Sequence, residues 1–211
     1  MENKKMKLWK IILLMLLVLF ILFLISLIRN FIIISNIQNT SKEFANKNNY
    51  IASVYSIQND SVNVLKSYNK NGKYLTILET NVNNINDMIK LIIYKNGTET
   101  IEIVESKNHK YAIFNEDVLG GVHVITFFDN SNVLEKLLFA AIARISTEEC
   151  NNKDTFYIEM PQGWKLWIDK EYGTAIREIN GGFVVERNYE FDIVKEEDIA
   201  KPDVTDCKIQ K

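Results

Sequence analysis

The feature that most constrains this chain is the run from Ile11 to Ile28, eighteen consecutive residues without a charged side chain. At about 1.5 Å of rise per residue it covers roughly 27 Å, close to the hydrocarbon thickness of a bilayer. A helix on the surface of a soluble domain would show a polar stripe every 3.6 residues, and this run is apolar all round. Lys4, Lys5, Lys7 and Lys10 precede it and only Arg29 follows closely. That bias predicts a cytoplasmic N-terminus and a single crossing of the cytoplasmic membrane, with the rest of the chain outside. A cleaved leader would have a hydrophobic region of about 7–15 residues ending in a small-x-small site. Here the run ends Ser26-Leu27-Ile28-Arg29-Asn30, so the expectation is an uncleaved anchor.

The expected organisation is a basic tail (1–10), the anchor (11–28), a juxtamembrane helix (29–49) and one extracytoplasmic β domain (50–211). From residue 30 onward the chain has 20 Lys and Arg against 26 Asp and Glu. A net-acidic domain without a basic cluster excludes nucleic acid as an expected partner. High Asn, Ile and Lys usage with only two prolines looks like the product of an AT-rich bacterial genome. Cys150 and Cys207 both fall outside the membrane on this topology, where an even count permits one disulfide or two unpaired thiols.

Past the run, Ile33, Ile34, Ile37, Ser41 and Phe44 recur at helical spacing, so the anchor helix is expected to continue into the domain. From Tyr50 the period changes to two. Strand-like runs at 50–58, 62–68, 73–80, 89–95, 100–104 and 111–115 are separated by turn residues, including Asn71-Gly72 and Asn96-Gly97. Asn-Gly between such runs predicts hairpins and hence an antiparallel meander. A helix is expected over 132–145, with Asn132 and Glu135 forming a capping box. Its apolar face of Val133, Leu137, Leu138, Ala141 and Ile142 is expected to pack on the sheet. Strands resume at 155–160, 163–169, 174–179 and 183–194. In the last, Phe183, Val185, Tyr189, Phe191 and Ile193 share one face, on which Arg187 is the single charge. The fold class expected is therefore α+β, mainly antiparallel β: a curved open half-barrel sheet packed with helices, behind one transmembrane helix.

No catalytic, cofactor or metal constellation stands out. His109 and His123 have no ligand-spaced neighbours, Gly120-Gly121 and Gly181-Gly182 match no phosphate-binding pattern, and the cysteines lack partners two to four residues away. A non-enzymatic role without cofactor is the expectation. The informative stretch is Tyr157–Glu178, read as strand, turn, strand, tight turn, strand. Asp169 is placed to accept hydrogen bonds from the turn amides, and Gly173 supplies a positive φ. Trp164, Leu166 and Ile168 point one way and Lys165, Trp167 and Asp169 the other, so the two tryptophans serve either a core or a ligand groove.

Leu166-Trp167-Ile168-Asp169 followed by Gly173, with the order helix, meander, helix, meander over about residues 31–195, resembles the signature hairpin of the LolA-like superfamily, which includes lipoprotein carriers and RseB-type envelope sensors. The resemblance implies an unclosed β-barrel plugged by helices, with an apolar ligand, lipid moiety or lipoprotein held on the concave face. Trp164, Leu166, Trp167, Phe183, Val185, Tyr189 and Phe191 are the residues it nominates as ligand-lining or core. A tethered member cannot shuttle between membranes, which turns the expectation toward a local binding domain or sensor. The alternative is a structural or assembly subunit that uses its sheet to meet an unidentified protein partner.

Overall fold

A computed structural model describes residues 2–58, 61–82, 88–114 and 123–210. The Asn59-Asp60 turn, most of the Asn-rich 81–87 segment and Gly120-Gly121 lie outside the described residues. The first element, α1 (Glu2–Ala45), is one continuous helix. It contains a stretch long and apolar enough to cross a membrane, and its C-terminal third is part of the folded domain. Ile34 and Ile37 are fully buried there, each worth about 1.5–3 kcal/mol of apolar transfer.

Six strands follow: β1 (Asn49–Gln58), β2 (Ser61–Lys70), β3 (Lys73–Val82), β4 (Met88–Asn96), β5 (Glu99–Ser106) and β6 (His109–Phe114). Each pairs antiparallel with the next. At the first Asn-Gly hairpin Asn71 and Gly72 carry φ of 50° and 80°, the left-handed pair of a type I′ turn whose twist matches the strands. At the second, Asn96 pairs with Glu99 and the two-residue loop is Gly97-Thr98, with Gly97 at φ 62°. Residues 123–132, without regular structure, lead into α2 (Val133–Ile142), after which come β7 (Arg144–Cys150), β8 (Lys153–Glu159), β9 (Lys165–Asp169), β10 (Ala175–Asn180) and β11 (Phe183–Phe191). These form a second antiparallel meander. β11 pairs antiparallel with β1 and joins the two meanders. β12 (Lys208–Gln210) adds parallel to β6. The result is one open, curved sheet in the order β12-β6-β5-β4-β3-β2-β1-β11-β10-β9-β8-β7.

The two faces are covered by different parts of the chain. Over β7–β10, the inner face packs on α1 and α2: Ile34, Ile37, Ala140 and Ala143 meet Ile145, Ile158, Leu166, Ile168 and Ala175. Over β3–β6, the outer face is covered by the C-terminal strap, whose Val194, Ile199 and Val204 pack on Tyr94, Ile101, Ile103 and Ala112. β7 and β12 are elements that the sequence pattern did not reveal. β7 has apolar side chains only at Ile145 and Cys150, and β12 is three residues long.

Three expectations are corrected. Cys150 and Cys207 are free thiols; Cys150 ends β7 and Cys207 precedes β12, at opposite ends of the strand order. Ile193 does not extend the β11 stripe, because Asp192 has φ 61° and ends the strand, leaving Ile193 exposed. Finally, α2 does not pack on Phe183, Val185, Tyr189 and Phe191. That stripe is met instead by Phe44 of α1, 4.9 Å from Phe191 between ring centroids, by Tyr172 at 5.1 Å and by Val124. α2 sits at the flank of α1 and turns its apolar arc outward.

Candidate functional site

The inner face of the β1–β5 half carries no helix among the described residues. The register places Val54 opposite Leu65, Leu65 opposite Leu78, Leu78 opposite Leu91, and Leu91 opposite Val104. Because directly opposed residues share a face, these five form one apolar row across five strands. Four strand spacings of about 4.8 Å make it roughly 19 Å long. All five are half-buried. The next row along the strands, Ala52, Ser67 and Thr76, is fully buried, with the two hydroxyls 2.8 Å apart in a hydrogen bond.

At the β11 end the row meets Arg187, which stands opposite Val54. Its side chain is only 7% exposed, and its Nη2 donates to Glu178 Oε2 at 2.9 Å. Glu178 Oε1 accepts from the Trp164 indole N–H at 3.0 Å. Among the described residues Nε and Nη1 of Arg187 have no hydrogen-bond partner. A buried guanidinium with two open donors is costly unless an acceptor reaches it. An apolar row ending at such a group has the make-up of a site for an amphiphile with a negative end.

Beyond Trp164 lies an aromatic cleft of about 270 Å³, lined by Phe127, Phe128, Ser131, Glu135, Phe139 and Trp164. The Phe127 and Trp164 ring centroids are 5.5 Å apart, and Phe128 meets Phe139 edge-on at 5.0 Å. Close by, Tyr189 is buried and its hydroxyl accepts the Ile125 N–H at 3.1 Å. Burial pushes the Tyr189 phenol up, against the opposing pull of that hydrogen bond and of Arg187. Tyr50 is pushed up to about 12, by burial first and then by Tyr189.

The structure thus brings Trp164, Leu166, Val185, Tyr189 and Phe191 to the inner side, with Phe183 at the edge of the same stripe. Leu166 and Val185 are core, and Phe191 is taken up by Phe44 and Tyr172. Trp167 points to the outer face, where it packs on Tyr157 at 5.0 Å, lies under the Arg177 guanidinium at 5.2 Å and donates to Glu148. The apolar row itself was missed by single-strand reading, since its members come from five strands and only register aligns them.

Also missed were Asn30 and Gln38, which join Ser41 among the polar residues of α1. Asn30, Gln38 and Ser41 are buried, in a helix that the sequence reads as apolar. Asn30 Nδ2 donates to Ala140 O at 3.0 Å and Ala143 O at 3.1 Å, while Gln38 Nε2 donates to Phe128 O at 2.7 Å and Ser131 O at 2.9 Å. Their spacing of eight puts both on one helical face, where they hold the two ends of α2 against α1. Asp169 behaves as read: Oδ1 accepts the Glu171 N–H at 2.8 Å and Oδ2 meets Lys153 at 2.9 Å.

No family model matches the chain, and no curated protein does. Among solved structures, the chain is similar to the crystal structure of MucB, with TM-score 0.39 and 9% identity over 80% of this chain. It is also similar to MucB in complex with MucA(peri), with TM-score 0.37 and 9% identity over 84% of this chain. The chain spans about three fifths of those structures, 62% and 61% of their lengths.

Proposed function

We propose that this chain is a non-enzymatic, membrane-anchored binding domain outside the cytoplasm that holds an acyl chain or similar amphiphile on the inner face of its sheet. The observation that supports this is the half-buried apolar row Val54-Leu65-Leu78-Leu91-Val104, over which no helix lies among the described residues, ending at the buried Arg187. A ligand there would exchange water over the row for apolar contact, and its anionic end would reach the open donors of Arg187. α1 keeps the site at the bilayer, so the domain would act on lipid or lipid-bearing proteins locally.

The test is native mass spectrometry of the full chain purified from membranes in detergent, with a fluorescent fatty acid as the added probe. Wild-type chain is expected to carry acyl lipid and to bind the probe, and Leu78→Lys is expected to lose both while keeping its circular dichroism spectrum. Wild-type chain that carries no lipid and does not bind the probe would refute the reading. A second reading, as an assembly subunit, is favoured by β7, which ends the strand order with Thr147, Glu148 and Glu149 exposed. Such an edge can accept a strand from another protein, and in-membrane crosslinking from Thr147 would find it.

A further inference from the structure

The apolar residues of α2 are on its outside. At 100° per residue, Val133, Leu137, Ala141, Leu134, Leu138 and Ile142 fill one half of the helix circumference, and all six are exposed. Leu134 is 65% and Leu138 59% exposed. The opposite half, with Lys136, Phe139 and Ala140, packs on α1 and the core. A helix that turns half its circumference of Val, Leu and Ile away from its own domain has no partner for that half among the described residues.

We infer that this partner is the outer leaflet of the membrane that α1 crosses, and that α2 seats the domain on the lipid surface. The inference rests on the reading of α1 as a membrane span. α2 runs antiparallel to α1: its N-terminal end is tied to Gln38 and its C-terminal end to Asn30. Asn30 lies two residues past the apolar run, so Leu138, Ala141 and Ile142 stand level with the point where α1 leaves the hydrocarbon. The apolar character of α1 resumes at Phe31–Ile34, and Ile28 and Ile32 are themselves exposed. From Ile11 to Ile32, the last of these exposed residues, the helix measures roughly 33 Å, about 3 Å more than a hydrocarbon core. That surplus lies at the height of the lower half of α2, so exposed apolar side chains of both helices stand at the headgroup boundary, Ile28 and Ile32 on the side of α1 away from the Asn30 that holds α2. Arg144, exposed at the lower end of α2, is placed to reach phosphates from there, as long cationic side chains do at interfaces, whereas the Arg29 guanidinium is turned inward and donates to Ile145 O. A second copy of the chain or a protein groove would not require the exposed arc to stand level with the end of the apolar run; a bilayer does.

The experiment is spin-label accessibility on the full chain in vesicles of phosphatidylethanolamine and phosphatidylglycerol, in a Cys150→Ala, Cys207→Ala background. Nitroxides are placed by cysteine substitution at Leu134, Leu138, Ile142, Leu17 and Asn188. Lipid contact raises collision with oxygen and lowers collision with a water-soluble nickel chelate. The expected result is an oxygen-to-nickel ratio several-fold higher at Leu138 and Ile142 than at Asn188, with Leu134 lower than Ile142. High nickel accessibility at Leu138 and Ile142 would overturn the inference. So would protection from both reagents there, which would mean a protein partner. A water-exposed Leu17 would instead overturn the reading of α1 as a span, while a lipid-exposed Leu17 with a water-exposed Leu138 would overturn the seating alone.

Discussion

The β9–β10 turn touches α1 at one glycine, and replacing it separates two physical effects. Gly173 has φ +64°, and a Cβ there would lie 2.7 Å from Ser41 N and 2.9 Å from Ile37 O. Both are backbone atoms of a helix, so neither can swing aside. Gly181 also has positive φ, +55°, but nothing lies within 4 Å of its would-be Cβ. Gly181→Ala should therefore cost only the left-handed backbone strain, about 1–2 kcal/mol. Gly173→Ala should cost that strain plus an overpacking term of about 1–3 kcal/mol, or roughly 2–5 kcal/mol together. For a domain of this size about 1 kcal/mol moves Tm by 2–4 °C. Gly173→Ala should therefore melt visibly below Gly181→Ala. The measurement is thermal or urea unfolding of the full chain in detergent, followed by tryptophan fluorescence. Equal losses in the two variants would show that the turn does not bear on α1 as described, and the docking of the helix on the sheet would need another account.

Glu178→Ala would strand the Arg187 guanidinium in a buried setting and should destabilise by about 3–5 kcal/mol in urea unfolding; a loss below 1 kcal/mol would show that the pair is solvated. In denatured, unreduced protein both thiols should titrate, and in folded protein Cys207 should react before Cys150, which is buried and whose thiol burial pushes up; finding fewer than two thiols would restore the disulfide. Stability should hold up to about pH 10 and fall as pH rises toward 12. Tyr50 is held at about 12, by burial and by Tyr189, so the unfolded state loses its proton first over that window. Ionisation of every tyrosine at the ordinary value with the fold intact, read by absorbance, would contradict the packing around Tyr50.

The hairpins were legible because their signals are local. Asn71-Gly72 and the Asn132–Glu135 capping box need only a few residues to be recognised, and both form, the box with bonds of 2.9 and 3.0 Å. The long apolar helix was legible because eighteen residues without charge admit few structures. The union of β1 with β11 was not legible: nothing in either strand names a partner more than a hundred positions away. The row Val54 to Val104 was hidden for the same reason. α2 misled for a different one. Its periodicity correctly marked an apolar face, and the assumption that such a face must turn to its own sheet supplied the wrong direction. Phe139, Ala140 and the carbonyls held by Asn30 decide the direction, and those contacts lie far apart in sequence.

The pairing of Tyr50 with Phe191 also sets a timetable for synthesis. β1 to β6 can zip up as local hairpins soon after they emerge, but the free edge of β1 must wait until β11 has been made, and β6 waits for the last residues of all. During that interval two strand edges and the bare outer face under the future strap are open to wrong partners, the hazard of sheets closed by distant segments. On the proposed reading of α1 as a membrane span, the N-terminal helix would reach the bilayer first, and every nascent copy would mature while fixed in two dimensions and spaced from its neighbours. Made without that helix, the domain would face the same interval free in solution, and its yield should fall steeply with concentration.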